Sequence, residues 1–180
     1  MRGASLLSVV AALCIANGIG QAASAPAATL SVGSMTFRNN ATIPGRMVNN
    51  SMPCHGQNVS PELHWSAEPK GTKSYALTAH DPDAPALGGF WHWVLYDIPA
   101  STHRIAEGRT VGVSGTTSFG STGYGGPCPP PGPAHHYRFT VYALNVVHIG
   151  ATPQTTGPQL LMKMRGHILD EGEVVGLYKR

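Results

Sequence analysis

The chain has 180 residues, of which 42% are hydrophobic and 12% charged, with 22 glycines and 15 prolines. This length fits one domain with a sizeable core, and the many glycines and prolines favour short strands and turns over long helices. The formal net charge is +3 and no run of Lys or Arg occurs, so the composition does not predict binding to nucleic acid.

The beginning of the chain has the pattern of a secretory signal peptide. Arg2 precedes an apolar run from Leu6 to Ile15, and small residues follow. The run is too short to span a bilayer, which takes about 20 apolar residues. We therefore predict a signal peptide over residues 1–25, with cleavage between Ala22 and Ala27, and one domain over residues 26–180. The mature chain is expected to be periplasmic or secreted, with no transmembrane segment.

Three cysteines are present, and Cys14 belongs to the predicted signal peptide. In an exported protein, the remaining Cys54 and Cys128 are candidates for one disulfide, with two free buried thiols as the alternative. A bridge would close a long loop and add up to about 4 kcal/mol of stability in the chain-entropy model.

The mature chain shows mainly strand patterns. LSVGSMTF, LHWSAEP, KSYALTAHD and WHWVLYDIP predict strands, with a turn-rich excursion after the first and the loop DPDAPALGGF before the fourth. Residues 100–121 are irregular, and HHYRFTVYALN has the clearest strand alternation. TGPQLLMKMRGHIL predicts a helix capped by Thr156, with Pro158 early in it and Ile168 and Leu169 on its apolar stripe. VVGLY predicts a closing strand, so the fold class is mostly β with one or two short helices.

Two of these strands carry histidines among large apolar side chains. Because side chains alternate between the two faces of a strand, His92 is expected to point away from both Trp91 and Trp93. By the same rule, His135 and Tyr137 share the core-facing side of HHYRFTVYALN, at its polar end. These side chains are candidates for one polar site.

A loop junction and a glycine-rich segment add further candidates. Asp81 ends a predicted strand where a loop begins, a place where ligand groups often lie. Backbone N–H groups of Gly125 and Gly126 could converge on negative charge without a side chain in the way, and the following prolines would stiffen a wall. The set predicts a pocket for a small anion such as phosphate, whose charge would favour cationic histidines.

Other interpretations of the same residues stay open. Each histidine taken alone is more often structural, and Asp83 is expected to bond nearby backbone as Asp does in turns. A metal site would need His80 together with Asp81, but adjacent strand residues face opposite ways and no H-E-x-x-H or C-x-x-C occurs, so no metal is predicted. A hydrolase or lyase that uses the same His and Asp residues is an alternative, although no G-x-S-x-G nucleophile is present. A third is a secreted modulator that binds a partner protein through residues 100–121, with a vestigial pocket.

Three motifs in order, DPDAP, WHWVLYDIPA and YGGPCPPPGPAHHYRFTVYAL, closely resemble the phosphatidylethanolamine-binding protein family, in its bacterial Raf-kinase-inhibitor-like branch. The resemblance covers essentially the whole mature chain. It implies a β-sandwich-like single domain of two antiparallel sheets, with a short helix near the C-terminus and a pocket at its edge for phosphate-type groups. The pocket residues that it implies are Asp81, His92, Gly125, Gly126, Pro127, His135 and Tyr137.

The resemblance also implies a function. It predicts an exported, non-enzymatic binding protein for phosphate, a phospholipid head group or a phosphorylated ligand, which modulates or inhibits a partner protein and needs no cofactor. The short loop ALGGF, the cysteine pair and the export signal depart from the family's eukaryotic members. An exported bacterial protein would not meet a cytosolic kinase cascade, so kinase inhibition is not carried over to this chain.

Overall fold

Two β-sheets and one α-helix make up the regular structure of the described chain. The computed structural model describes residues 29–66 and 68–180, and the predicted signal peptide lies outside them. No helix in the described ranges is long and apolar enough to cross a membrane. In chain order, the strands are β1 (Ser31–Gly33), β2 (Ala41–Thr42), β3 (Leu63–Ser66), β4 (Ser74–Asp81), β5 (Phe90–Pro99), β6 (Arg104–Ile105), β7 (Val113–Ser114), β8 (His135–Leu144) and β9 (Ile168–Tyr178), with a 3-10 helix at Gly45–Met47 and α1 at Gly157–Met164.

The strands form a small sheet and a large sheet. The small sheet has the order β1-β3-β6, and the large sheet has the order β2-β9-β8-β4-β5-β7. All pairs are antiparallel except β2 with β9, which are parallel over two residues. The predicted mostly-β fold of two sheets is confirmed, and β4, β5 and β8 lie where strands were predicted. β9 includes the predicted strand VVGLY but begins six residues earlier, at Ile168. The short strands β2, β6 and β7 lie in segments for which no strand was predicted.

The main core lies between the two sheets. On β4 and β8 the inward side chains, among them Leu77 and Phe139, pack with Leu63 and Trp65 of the small sheet, and all four are buried. Full burial of a side chain of this kind contributes about 1.5–3 kcal/mol. The other face of the large sheet is partly covered by α1 through Leu160. β4 is therefore buried on both faces over most of its length, whereas the outer face at the start of β8 is exposed at His136 and Arg138.

The helix is shorter than the sequence pattern predicts. Its first turn forms as expected, because the backbone N–H of Thr156 donates to Oε1 of Gln159 at 2.9 Å, with Pro158 beside it. It ends at Met164, however, and Ile168 and Leu169 belong to β9. Gly166, with a φ of 77°, breaks the helical path. Apolar residues at helical spacing therefore continue past the end of α1 and into β9.

A disulfide ties the excursion after the 3-10 helix to the segment before β8. Cys54 and Cys128 are bonded, and their Cα atoms lie 5.9 Å apart. Two asparagines fasten the same segments. The backbone N–H of Asn49 donates to the Pro127 carbonyl at 3.1 Å, and the side chain of Asn58 binds the backbone at residues 124 and 126. The proline-rich wall after Cys128 is thus held from behind at several points.

The disulfide can be tested by mass. The folded protein, unfolded in denaturant without reductant, should have a mass about two units below that of the dithiol form, because the bridge replaces two S–H hydrogens. It should take up no alkylating reagent until it is reduced. Reduction should lower the free energy of unfolding in urea by up to about 4 kcal/mol. Alkylation of both cysteines without reductant would contradict the bridge.

Candidate functional site

A cavity of about 300 Å³ opens where β4 ends and where β5 and β8 begin. Its walls are mostly apolar, because the loop after β4, Phe90, Phe119 and the Cys128–Pro130 segment line it. Its polar side chains are Asp81, His92, His135 and Tyr137. The structure therefore brings together four of the seven pocket residues that the sequence predicts.

Asp81 and His135 form a buried pair at the polar end of the cavity. Nδ1 of His135 lies 2.8 Å from Oδ2 of Asp81, and a carboxylate accepts, so Nδ1 carries the proton. Oδ1 of Asp81 accepts from the backbone N–H groups of Asp83 at 2.9 Å and Ala84 at 3.1 Å. The imidazole of His135 is thus fixed in orientation. Its Nε2 makes no hydrogen bond to any residue in the ranges 29–66 and 68–180 and is left for a ligand.

His92 reaches the cavity through a β-bulge in β5. Ala79 pairs with Trp93 and His80 pairs with Trp91, so His92 is the extra residue of β5 between two consecutive pairs. Trp93 packs into the main core, whereas Trp91 turns to the opposite face and stacks on His80 with ring centroids 4.3 Å apart. The expectation that His92 points away from both tryptophans is therefore wrong. Strict alternation fails because the bulge shifts the faces by one residue.

The imidazole of His92 is held in one tautomer. Nδ1 donates to the Gly125 carbonyl at 2.7 Å, and the N–H of Gly125 donates to the His92 carbonyl at 2.8 Å. Burial lowers the pKa of His92 to about 4, although the bond to Gly125 and the charge of Asp81 oppose this shift. His92 is therefore neutral near pH 7.

Tyr137 presents a hydroxyl without a partner. Its side chain is buried, with 1% of its surface exposed, and within the described part of the chain its hydroxyl makes no hydrogen bond. Burial, and then the negative charge of Asp81, raise the pKa of Tyr137, so the hydroxyl stays protonated. A buried polar group without a partner costs about 1–3 kcal/mol. Because Tyr137 lines the cavity, this hydroxyl is a candidate donor for a ligand.

The two glycines do not supply amides to the cavity, contrary to the sequence expectation. The N–H of Gly125 donates to His92, and the N–H of Gly126 donates to Oδ1 of Asn58 at 2.6 Å. A Cβ at Gly125 would collide with the ring of Phe119, and one at Gly126 would collide with the backbone of Met47. Glycine is needed here for close packing. Pro127 lies behind the wall as an acceptor for Asn49 rather than on the cavity surface.

A second acid-histidine pair holds the outer wall. Oδ2 of Asp83 accepts from the backbone N–H of His136 at 2.8 Å and from its Nδ1 at 2.7 Å. These bonds lower the pKa of Asp83. The expectation that Asp83 bonds nearby backbone is therefore wrong, because the acid reaches across to β8. In the sequence, this pair is indicated by two features: the two acids in DPDAP and the two adjacent histidines in HHYRF.

The aromatic walls are the part of the site that sequence reasoning missed. The ring centroids of Phe90 and Phe119 lie 4.8 Å apart, and each ring also packs against His92. Phe119 comes from the segment predicted to be irregular, and 43% of its surface is exposed. No local pattern places it at the cavity, because the loop that carries it is positioned by the backbone bond from Ser118 to Trp91.

The described residues form a β-sandwich-like fold of two sheets, with a cavity at the ends of β4, β5 and β8. Residues 33–179 match the family model of the phosphatidylethanolamine-binding protein. The chain belongs to this family.

Relatives of the chain are found in bacteria and archaea. A UPF0098 protein of Aquifex aeolicus is 42% identical over 164 residues, which cover 87% of this chain and 92% of the relative. The UPF0098 protein YbcL of Escherichia coli is 36% identical over 166 residues, 87% of this chain and 91% of the relative.

Solved structures agree with this assignment. The crystal structure of E. coli YbcL, described as a member of the mammalian PEBP family, superposes with a TM-score of 0.81 at 33% identity, over 85% of this chain and 99% of that one. The PEBP homologue CT736 of Chlamydia trachomatis superposes with a TM-score of 0.76 at 34% identity, over 84% of this chain and 98% of that one.

The low pKa of His92 predicts how stability depends on pH. The pKa is about 4 in the folded state and 6.5 when unperturbed. Above pH 6.5 both states hold a neutral ring, so the full stability is present. As pH falls from 6.5 to 4, the unfolded state binds a proton that the folded state does not, so stability is lost, by at most about 3 kcal/mol. Urea unfolding at intervals between pH 7.5 and 4 measures this loss.

His92→Asn provides the comparison, because its Nδ2 can still donate to Gly125 while the side chain no longer titrates. Its stability should fall less steeply between pH 6.5 and 4 than that of the wild type. His55→Asn, at an exposed position, should follow the wild-type curve. Parallel curves for the wild type and His92→Asn would show that His92 does not have the low pKa.

Proposed function

We propose that the protein is an exported, non-enzymatic binding protein whose cavity takes a small anionic group, namely phosphate, a phospholipid head group or a phosphorylated ligand, and that modulates a partner protein. The observation that carries the proposal is the convergence of three polar groups on one cavity: the orphan hydroxyl of Tyr137 and the Nε2 atoms of His92 and His135.

The chemistry of the cavity supports an anionic head. Tyr137 carries an O–H donor beside the cavity, and Asp81 fixes the ring of His135 through Nδ1, which leaves Nε2 without a partner among the described residues. The anion therefore meets side-chain donors rather than backbone amides. Since the remaining walls are aromatic rings and prolines, the cavity favours an anionic group that carries an organic body.

The name of the family supports the same class of ligand. The family is described by the binding of phosphatidylethanolamine, whose head group carries a phosphate. Applied to this chain, the phosphate would lie against Tyr137 and His135, and the organic part would follow the apolar walls.

The absence of a nucleophile supports binding without turnover. Among the described residues that line the cavity, the hydroxyl and sulfur groups are Tyr137, whose pKa is raised, and Cys128, which is held in a disulfide. Neither suits attack on an ester. The pair of Asp81 and His135 would then serve to position a ligand.

Modulation of a partner is proposed through Phe119. Its ring lines the cavity and is also partly exposed, in the segment that the sequence marks as a protein-binding candidate. A ligand that packs on this ring would change the surface that a partner meets. The cavity and the loop would therefore act together.

The binding proposal is tested by titrating the protein with phosphate and with phosphoethanolamine while following histidine NMR signals. Signals of His92 and His135 should shift at millimolar ligand, and those of exposed His55 should not. Tyr137→Phe should weaken binding by about tenfold, because it removes one donor. It should leave stability unchanged or raise it by up to about 1 kcal/mol, because it also removes an orphan hydroxyl.

Tyr96→Phe is the matched control for this titration. Tyr96 is also buried with an orphan hydroxyl, but it packs in the cluster beneath α1. This variant should bind like the wild type. If neither histidine responds to either ligand at millimolar concentration, the proposed site is wrong.

Export is tested separately by locating and weighing the expressed protein. The periplasmic extract should contain a chain that begins after a cut between Ala22 and Ala27. Deletion of residues 2–22 should keep the protein in the cytosol with its cysteines reduced. A cytosolic wild-type chain that begins at Met1 would overturn export without affecting the binding proposal.

A further inference from the structure

A second cavity, of about 360 Å³, lies on the outer face of the large sheet. Its floor comes from neighbouring strands, because Thr78 of β4 pairs with Thr140 of β8 and Thr140 pairs with Glu173 of β9. Trp91 of β5 and Leu161 of α1 also line it. We call this cavity the outer groove, and its volume falls within the range of about 300–1,000 Å³ that is usual for small-molecule sites.

The outer groove is separate from the cavity of the anion site. His80 and Trp91 line the groove, whereas their chain neighbours Asp81 and His92 line the other cavity, and no lining residue is shared. The two cavities therefore lie on opposite faces of the large sheet. A ligand in one does not occupy the other.

The floor of the groove is a cluster of three hydroxyl groups. Thr78 is 1% exposed and Tyr142 is 7% exposed. Burial raises the pKa of Tyr142, although the neighbouring hydroxyls of Thr78 and Thr140 oppose this shift, so Tyr142 keeps its proton. Within residues 29–66 and 68–180, its O–H donates to no backbone carbonyl and no carboxylate. A buried donor that lines a cavity in this way is open to a ligand.

The charged side chains of the groove leave several atoms unpaired. Nε of Arg138 donates to Oε2 of Glu173 at 2.8 Å, and Oγ1 of Thr140 donates to the same oxygen at 3.1 Å. In the described ranges, the terminal NH₂ groups of Arg138 and the carboxylate of Glu171 have no ion-pair or hydrogen-bond partner. The lining thus has two carboxylates and one guanidinium, which disfavours a small anion.

The aromatic wall of the groove is held in place by three contacts. The ring of His80 stacks on Trp91, with centroids 4.3 Å apart, and Nε2 of His80 donates to the Gly88 carbonyl at 2.9 Å. Gly157 of α1 packs so closely on the indole that a Cβ there would collide with it. The wall is therefore preorganised, which reduces the entropy lost when a ligand binds.

The mixture of donors and acceptors matches a neutral polyhydroxyl ligand. A sugar hydroxyl both donates and accepts, and the groove presents donors at Tyr142 and Arg138 and acceptors at Glu171 and Glu173. A guanidinium or a carboxylate can span two adjacent hydroxyls because each is planar and bidentate. The C–H face of a sugar ring would pack on the apolar wall. A simple cation would satisfy the carboxylates but not Arg138 or the hydroxyl floor.

We propose that the outer groove is a second binding site, for a neutral sugar, which is held by the hydroxyl floor, by Arg138 and by the two glutamates. This site does not depend on the proposed anion site. It gives the protein two ligand surfaces on opposite faces of one sheet.

The proposal is tested by titrating the full mature protein with glucose, galactose, mannose and N-acetylglucosamine while following histidine NMR signals. At least one sugar should shift the signals of His80 with a dissociation constant in the millimolar range. The signals of His92 and His135 should stay unchanged. Ethylammonium chloride at the same concentration should leave His80 unperturbed, because it carries no hydroxyl groups.

Tyr142→Phe and Tyr96→Phe form a matched pair. Both tyrosines are buried in the cluster beneath α1, but only Tyr142 lines the groove. Tyr142→Phe should bind the sugar about tenfold more weakly, because it removes one donor, and Tyr96→Phe should bind like the wild type. Tyr142→Phe should also bind phosphate like the wild type.

The outcomes keep this proposal apart from the proposed function. If none of the four sugars shifts His80 at about 50 mM, the sugar site is overturned whatever the phosphate titration shows. A shift of His80 by ethylammonium and by no sugar would make the groove a cation site and would also overturn it. Sugar binding without phosphate binding would overturn only the proposed function.

Arg138→Lys decides the question if Tyr142→Phe does not fold. Arg138 is exposed, so the variant is expected to fold, and lysine keeps the charge but lacks the planar fork. Sugar binding should weaken by about fivefold. Unchanged binding in Arg138→Lys would contradict the proposed contacts.

Discussion

The carboxylate of Asp81 is the interaction on which the site depends. Oδ1 accepts hydrogen bonds from the backbone N–H groups of Asp83 and Ala84, in the loop after β4. Oδ2 accepts from Nδ1 of His135 at the start of β8. A single buried acid thus fixes a strand end, a loop and an imidazole. This arrangement is stable because three donors face the carboxylate, which offsets the cost of burying its charge.

The two histidines of the cavity are held by different kinds of hydrogen-bond partner. His135 is anchored through Nδ1 to the carboxylate of Asp81. His92 is anchored to a carbonyl among aromatic rings, where burial lowers its pKa. Two residues of the same type therefore line one cavity with different partners at Nδ1, a carboxylate for His135 and a backbone carbonyl for His92.

The apolar wall is supported from outside the cavity. The disulfide, Asn49 and Asn58 fasten the segment of Gly125 to Cys128 to the excursion that follows β2. Oδ1 of Asn58 accepts from the N–H of Gly126, and the His92 carbonyl accepts from the N–H of Gly125, so neither amide is free. The wall is thus held in place, and the polar side chains that line the cavity are Asp81, His92, His135 and Tyr137.

Most of the fold and part of the candidate site can be predicted from the sequence, because strand alternation is a local property. HHYRFTVYALN alone places His135 and Tyr137 on the core face, and the family motifs supply Asp81 and His92. What the sequence could not determine depends on pairing with distant segments. The bulge that turns His92 into the cavity exists only in register with β4, and the partners of Gly125 and Gly126 come from β5 and from Asn58. The sequence by itself determined the residue types at the site. The tertiary structure decided which of their atoms remain free for a ligand, because a donor or acceptor that is already paired within the fold cannot also bind a ligand.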